Sequence, residues 1–183
     1  MNYATIKTND VANGEGVRVS LFVSGCTHFC KDCFNSEAWD FGYGQPFGEE
    51  QIEFILNALD HDYIKGLSLL GGEPFEPQNQ PEVLKLLRSF KARFPKKNVW
   101  CYSGYDFEKH ISAYKLGAPE ITKEMLSYID ILVDGEYVAE LHNANLRFKG
   151  SSNQRIIDVK KSLKENKVIL WDGDVTLDTI TKW

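Results

Sequence analysis

Hydrophobic and polar positions follow two rhythms along this chain. Val17 to Ser24 reads Val-Arg-Val-Ser-Leu-Phe-Val-Ser between Gly16 and Gly25, a β-branched and aromatic run that predicts a strand. Glu49 to Asp60 changes period: Ile52, Ile55, Leu56 and Leu59 fall on one helical face. Gly66-Leu67-Ser68-Leu69-Leu70, closed by Gly71-Gly72, predicts a buried parallel strand. The cycle repeats with a helix over 81–94, carrying Val83, Leu87, Phe90 and Phe94, and a strand over 98–103. A weaker helical pattern over 106–116 and a short helix over 121–128 lead into a strand over 129–133, which stops at Asp134-Gly135. Met1 to Asp10 mixes polar and charged types and predicts no element. After Arg155 come a lysine-rich helical stretch, a strand-like Lys167 to Trp171 and an Asp172-Gly173 turn.

Strands alternating with helices predict an α/β fold with a mostly parallel sheet, whose strands end at one common edge where ligands bind. Four such strands are too few for a complete eight-stranded barrel, which leaves a partial, open β/α barrel or a doubly wound sheet. The expected organisation is one functional domain over 1–155 with a C-terminal extension over 156–183.

With 183 residues, 43% hydrophobic and 26% charged, the composition is that of one globular domain, and no apolar run approaches the ~20 residues of a bilayer span. The net charge of -5 disfavours non-specific nucleic-acid binding, so neither nucleic acid nor membrane is an expected partner. The opening residues carry no apolar signal region, which makes a cytoplasmic location and reduced thiols the expectation.

Of four cysteines, Cys26, Cys30 and Cys33 form a C-x3-C-x2-C cluster just after the first predicted strand. Three thiolates so spaced suit three irons of a [4Fe-4S] cluster, with the fourth iron left open. Structural zinc is the alternative and needs four ligands, which would have to include His28 or the distant Cys101; free thiols are the third. Cys101 reads as a small buried residue of its strand, and His28 as a loop residue beside the ligands.

Gly71-Gly72-Glu73-Pro74 follows a buried strand directly; glycines admit a close approach to the backbone, Pro74 stiffens the exit and Glu73 offers an acceptor. Together with the cysteine motif, this loop resembles the two signatures of the radical S-adenosylmethionine superfamily. The resemblance implies a [4Fe-4S] cluster on Cys26, Cys30 and Cys33, S-adenosylmethionine bound by Gly71, Gly72, Glu73 and Pro74, and a partial barrel. Asp32 stands where an aromatic often precedes the last cysteine, and Phe34 or Phe29 is the neighbouring candidate for the adenine. Ser103 at a strand end is a candidate for the ribose or methionine carboxylate, or an ordinary strand-end turn. Asp130 and Asp134 read as groups orienting ribose or a cation, or as caps. Trp39 reads as a shielding or core aromatic.

A narrower resemblance, carried by Asn13-Gly14-Glu15-Gly16-Val17-Arg18, Cys33-Phe34-Asn35, Tyr102-Ser103-Gly104-Tyr105, Asp134-Gly135-Glu136-Tyr137 and Gly150-Ser151-Ser152-Asn153-Gln154-Arg155, is to the activating enzymes of anaerobic ribonucleotide reductases. It implies a partner, the large catalytic subunit of an anaerobic ribonucleoside-triphosphate reductase, whose glycine becomes a glycyl radical, and a low-potential electron donor. Activation of a different glycyl radical enzyme, a small-molecule radical reaction of the deazapurine type, and a zinc or electron-transfer module are the alternatives. Asn153, Gln154 and Arg155 are either a surface loop or contacts to ligand or partner.

Overall fold

The computed structural model describes residues 1–173. Seven strands, β1 (Asn2–Asp10), β2 (Val17–Val23), β3 (Gln45–Pro46), β4 (Ile64–Gly71), β5 (Asn98–Tyr102), β6 (Ile131–Asp134) and β7 (Arg155–Asp158), form one mixed sheet. Its order is β3-β1-β2-β4-β5-β6-β7; the central β2, β4, β5 and β6 are parallel, and the flanking pairings are antiparallel. β3 and β7, the two ends of this order, do not pair with each other among the described residues, so the sheet does not close into a barrel.

The helices α1 (Glu49–Leu59), α2 (Gln80–Arg93) and α3 (Pro119–Tyr128) follow the predicted periodicity, and a short α4 (Val159–Glu165) comes after β7. Because β2, β4, β5 and β6 are neighbours in chain order, successive right-handed crossovers all fall on one side of the sheet. The main core therefore joins Ile55, Leu59, Leu87, Phe90 and Met125 of the helices to Val19, Leu21, Leu67, Leu69, Val99, Cys101 and Leu132 on one face. A doubly wound sheet, which carries helices on both faces, is excluded. The opposite face has only a small cluster, Trp100, Ile131, Val133 and Ile156, which Phe148 and Trp171 cap. None of the helices among the described residues is long and apolar enough to cross a membrane.

Four details differ from the sequence expectation. β1 forms where no element was predicted, because its Tyr, Thr and Ile positions pair with β2 at the flank of the sheet and need only partial burial. The helix expected over 106–116 reduces to one π-helical turn, Phe107–Ile111, held by Asp134 Oδ2 accepting from Phe107 N at 2.9 Å. Among the described residues, the strand expected over 167–171 makes a single bridge, Ile157 to Leu170. The sheet also continues through Arg155 into β7, where Ile156 and Ile157 are buried, so the first residues beyond 155 belong to its edge.

Candidate functional site

At the C-terminal ends of the parallel strands, a cavity of about 540 Å³ opens over the face that the helices leave uncovered. Phe22, Leu70 and Tyr102 form part of its wall. Cys26, Cys30, Cys33, Phe34, Gly71, Gly72, Glu73 and Ser103 all line it, so eight of the ten sequence-selected site residues come together.

The other two do not reach it. Pro74 is buried beneath the loop. Asp130 precedes β6 and therefore sits at the opposite, N-terminal edge of the sheet. Its carboxylate accepts from Val99 N at 2.8 Å and pairs with Lys91 at 3.2 Å and with Lys160. The ribose role is thereby corrected to a structural one.

The cysteine loop leaves β2 through Gly25, whose positive φ of 97° and lack of a Cβ make room for the Phe41 ring. Phe29 and Asp32 also take positive φ, 50° and 56°, which bends the chain tightly between the thiols. Cys26 is buried, while Cys30 and Cys33 are half-buried. Burial pushes the Cys26 thiol up to about 12 and raises Cys30 as well, so without metal these groups stay protonated and metal binding must displace protons.

The cysteine loop and the glycine loop are stitched together. Gly72 N donates to Val23 O at 2.7 Å and Glu73 N to Gly25 O at 2.8 Å; Gly25 N and Cys26 N donate to Ala38 O and Trp39 O at 2.8 and 3.1 Å. A Cβ on Gly71 would lie 2.6 Å from Val23 N, and one on Gly72 2.5 Å from Gly25 O. These glycines are required by the packing of the two loops, a reason sequence reasoning had assigned to a ligand.

Glu73 is 1% exposed, and its carboxylate is a hub. Oε1 accepts from Phe75 N at 2.8 Å and Ser103 Oγ at 3.0 Å, and Oε2 accepts from Gly104 N at 2.8 Å. His28 places Nε2 3.4 Å from Glu73 Oε2 and Nδ1 3.0 Å from Glu136 Oε1. Burial opposes charge on that ring, but Glu73 and then Glu136 outweigh it and push His28 up to about 9.

This arrangement decides which metal the site fits. Both nitrogens of His28 face carboxylates, and its ring fills the space that a Cβ on Gly104 would take, so His28 is not a fourth ligand. Cys101 is 0% exposed in the core on the helix side of the sheet, away from the cavity. Three thiols with no fourth protein ligand among the described residues match an iron-sulfur cluster with one open iron and do not match closed structural zinc.

Glu76 and Asn79 had no clear sequence signal beyond lying near the glycine loop. Glu76 Oε1 accepts from Thr27 N at 2.8 Å and Thr27 Oγ1 at 2.6 Å. Asn79 Nδ2 donates to Ser24 O at 3.0 Å and Glu73 O at 2.9 Å. Tyr102 lines the cavity with a buried hydroxyl that has no hydrogen-bond partner among the described residues. Gln154 and Arg155 act within the chain. Gln154 Oε1 accepts from Gly150 N at 2.8 Å and its Nε2 donates to Gly135 O at 2.8 Å, which latches the loop over the cavity. Arg155 donates to both Asp134 and Glu108, so the acidic group Asp106, Glu108 and Asp134 already holds a cation, the Arg155 guanidinium.

Comparison with known proteins gives a consistent set. Residues 12–157 match the family described as 4Fe-4S single cluster domain. Over 157 residues, 85% of this chain and 93% of the relative, the sequence is 41% identical to the anaerobic ribonucleoside-triphosphate reductase-activating protein of Enterobacteria phage T4. It is 40% identical over 156 residues (84% and 96%) to the protein of the same name from Escherichia coli K12, and 39% identical over 158 residues (85% and 96%) to that of Pasteurella multocida.

Proposed function

The chain belongs to the family of anaerobic ribonucleoside-triphosphate reductase-activating proteins, and from that premise we propose that it is a radical S-adenosylmethionine activase that creates a glycyl radical on the large subunit of such a reductase. The observation that carries this reading is the one cavity shared by the glycine loop and by three thiols that have no fourth ligand among the described residues. Cys26, Cys30 and Cys33 would hold a [4Fe-4S] cluster, which when bound would supply an open iron for S-adenosylmethionine and one electron for reductive cleavage of its sulfonium.

The chain's own residues place and shield this chemistry. Gly71 and Gly72 hold the methionine loop against the cysteine loop, so a cofactor on one is in register with a ligand on the other. Glu73 fixes Gly104 and Ser103 at the end of β5; because Ser103 Oγ donates to Glu73 and accepts from Tyr105 N at 3.1 Å, it positions the acid. Phe34, 73% exposed at the rim, is an aromatic available to an adenine. The unclosed side of the sheet gives an extended partner loop its path, and the electron comes from a low-potential donor. We assign the chemistry to the domain that ends with the edge strand β7, with the extension beyond it covering the far end of the open face through Trp171, whose ring lies 4.9 Å from Trp100.

Anaerobic reconstitution with iron and sulfide tests the cofactor. Cys26→Ala, Cys30→Ala and Cys33→Ala each lose the cluster, whereas Cys101→Ala retains it. Stoichiometric zinc in the wild type, or loss of iron in Cys101→Ala, contradicts the reading.

A further inference from the structure

The buried carboxylates around the cavity are not alike. Glu73 faces His28, and Asp134 is paired with Arg155. Glu76 is 4% exposed, yet among the described residues no cation stands within ion-pair distance of it. Its neighbours are neutral donors: Thr27 N and Thr27 Oγ1 at 2.8 and 2.6 Å, and the Tyr105 hydroxyl at 3.4 Å, all directed at Oε1.

Placing an uncompensated charge in a protein interior costs several kcal/mol unless hydrogen bonds offset it. Here three donors provide that offset, and they fix the charge beside Thr27, the residue that directly follows Cys26. A negative charge held this close to an iron-sulfur cluster disfavours the added electron, because the potential of such a cluster responds to net local charge as well as to hydrogen bonding and exposure. Little water intervenes to screen it.

We propose that Glu76 sets the reduction potential of the cluster, its buried and unpaired carboxylate holding the cluster at the strongly reducing end of its range. The inference rests on the iron-sulfur reading above. Glu76 acts through the field and through Thr27 and touches neither cofactor nor substrate, so it is a positioning and tuning residue. The coupling has a functional sense: a cluster harder to reduce passes its electron to a sulfonium more readily once it has been reduced.

The test is a spectroelectrochemical titration of anaerobically reconstituted wild type, Glu76→Gln and Thr27→Val, with iron and sulfide counted in each. Glutamine keeps an acceptor oxygen for Thr27 but removes the charge; valine keeps the charge but removes one hydrogen bond. Glu76→Gln should load iron like the wild type and be reduced at a higher potential, by about tenfold in the reduction equilibrium or ~59 mV for one electron. Thr27→Val should shift by clearly less. Equal potentials in wild type and Glu76→Gln overturn the proposal, and so does failure of Glu76→Gln to hold iron, which makes the residue purely structural. A wild type that takes up no cluster refutes instead the reading on which the inference stands.

Discussion

Gly72 and Gly25 meet backbone to backbone: a Cβ on Gly72 would lie 2.5 Å from the Gly25 carbonyl oxygen, and Glu73 N donates to that same oxygen at 2.8 Å. The contact makes the loop that precedes the cysteines and the loop proposed to hold methionine a single unit. It also decides what a substitution there does.

Gly72→Ala must move the Gly25 or Ala38 carbonyl, and rigid backbone on both sides leaves no cheap way to yield. The expected outcome is reduced iron retention together with weakened binding of S-adenosylmethionine. Iron-to-protein ratios after gel filtration check this; full iron with loss of cofactor affinity alone would restore the simpler view that the glycine only clears space for a ligand.

Arg18 lies fully buried in β2, and burial draws its pKa down to about 10. Its guanidinium donates to Ser68 Oγ at 2.7 Å, Leu67 O at 2.8 Å and Glu15 O at 3.1 Å, so it holds the Gly14–Gly16 turn against β4. Arg18→Met leaves those acceptors without a donor in the interior and should destabilise by roughly 3 kcal/mol or more. Urea unfolding measures it, and a loss below about 1 kcal/mol would contradict this assignment.

The legibility of this chain varied with the range of the interactions. β2, β4, β5 and β6 were readable because nearly all their residues are withdrawn from solvent in short apolar runs; β1 was not, because a half-buried flanking strand tolerates Asn2, Lys7 and Asn9. The thiols and the glycine loop were readable from spacing within short segments. Asp130 was misplaced because the sequence does not say at which end of a strand an acid will act, and here it caps the N-terminal edge. Glu76 and Asn79 were invisible because their partners, Thr27 and Ser24, lie 49 and 55 positions away in the chain. Gln154 and Arg155 belonged to a recognisable motif whose work is internal latching.

His28 predicts a pH dependence of stability in the metal-free protein. Its folded pKa, about 9, exceeds the ordinary value of 6.5, so its contribution is complete below pH 6.5 and is lost as pH rises through 9. Cys26, raised to about 12, has the same sign but acts only above the ordinary thiol value of 9. Between pH 6.5 and 9 the melting temperature of wild type should fall toward that of His28→Gln; parallel curves would show that His28 gains no proton affinity from Glu73 and Glu136.

The account stands on radical transfer from this cavity to a backbone glycine of another protein. Reconstituted activase, S-adenosylmethionine and a strong reductant are mixed anaerobically with the large reductase subunit from the same source, and the electron paramagnetic resonance spectrum is recorded. A doublet from a glycyl radical, formed together with 5′-deoxyadenosine and absent when Cys30→Ala replaces the wild type, is the predicted result; 5′-deoxyadenosine released with no organic radical on the reductase would contradict it.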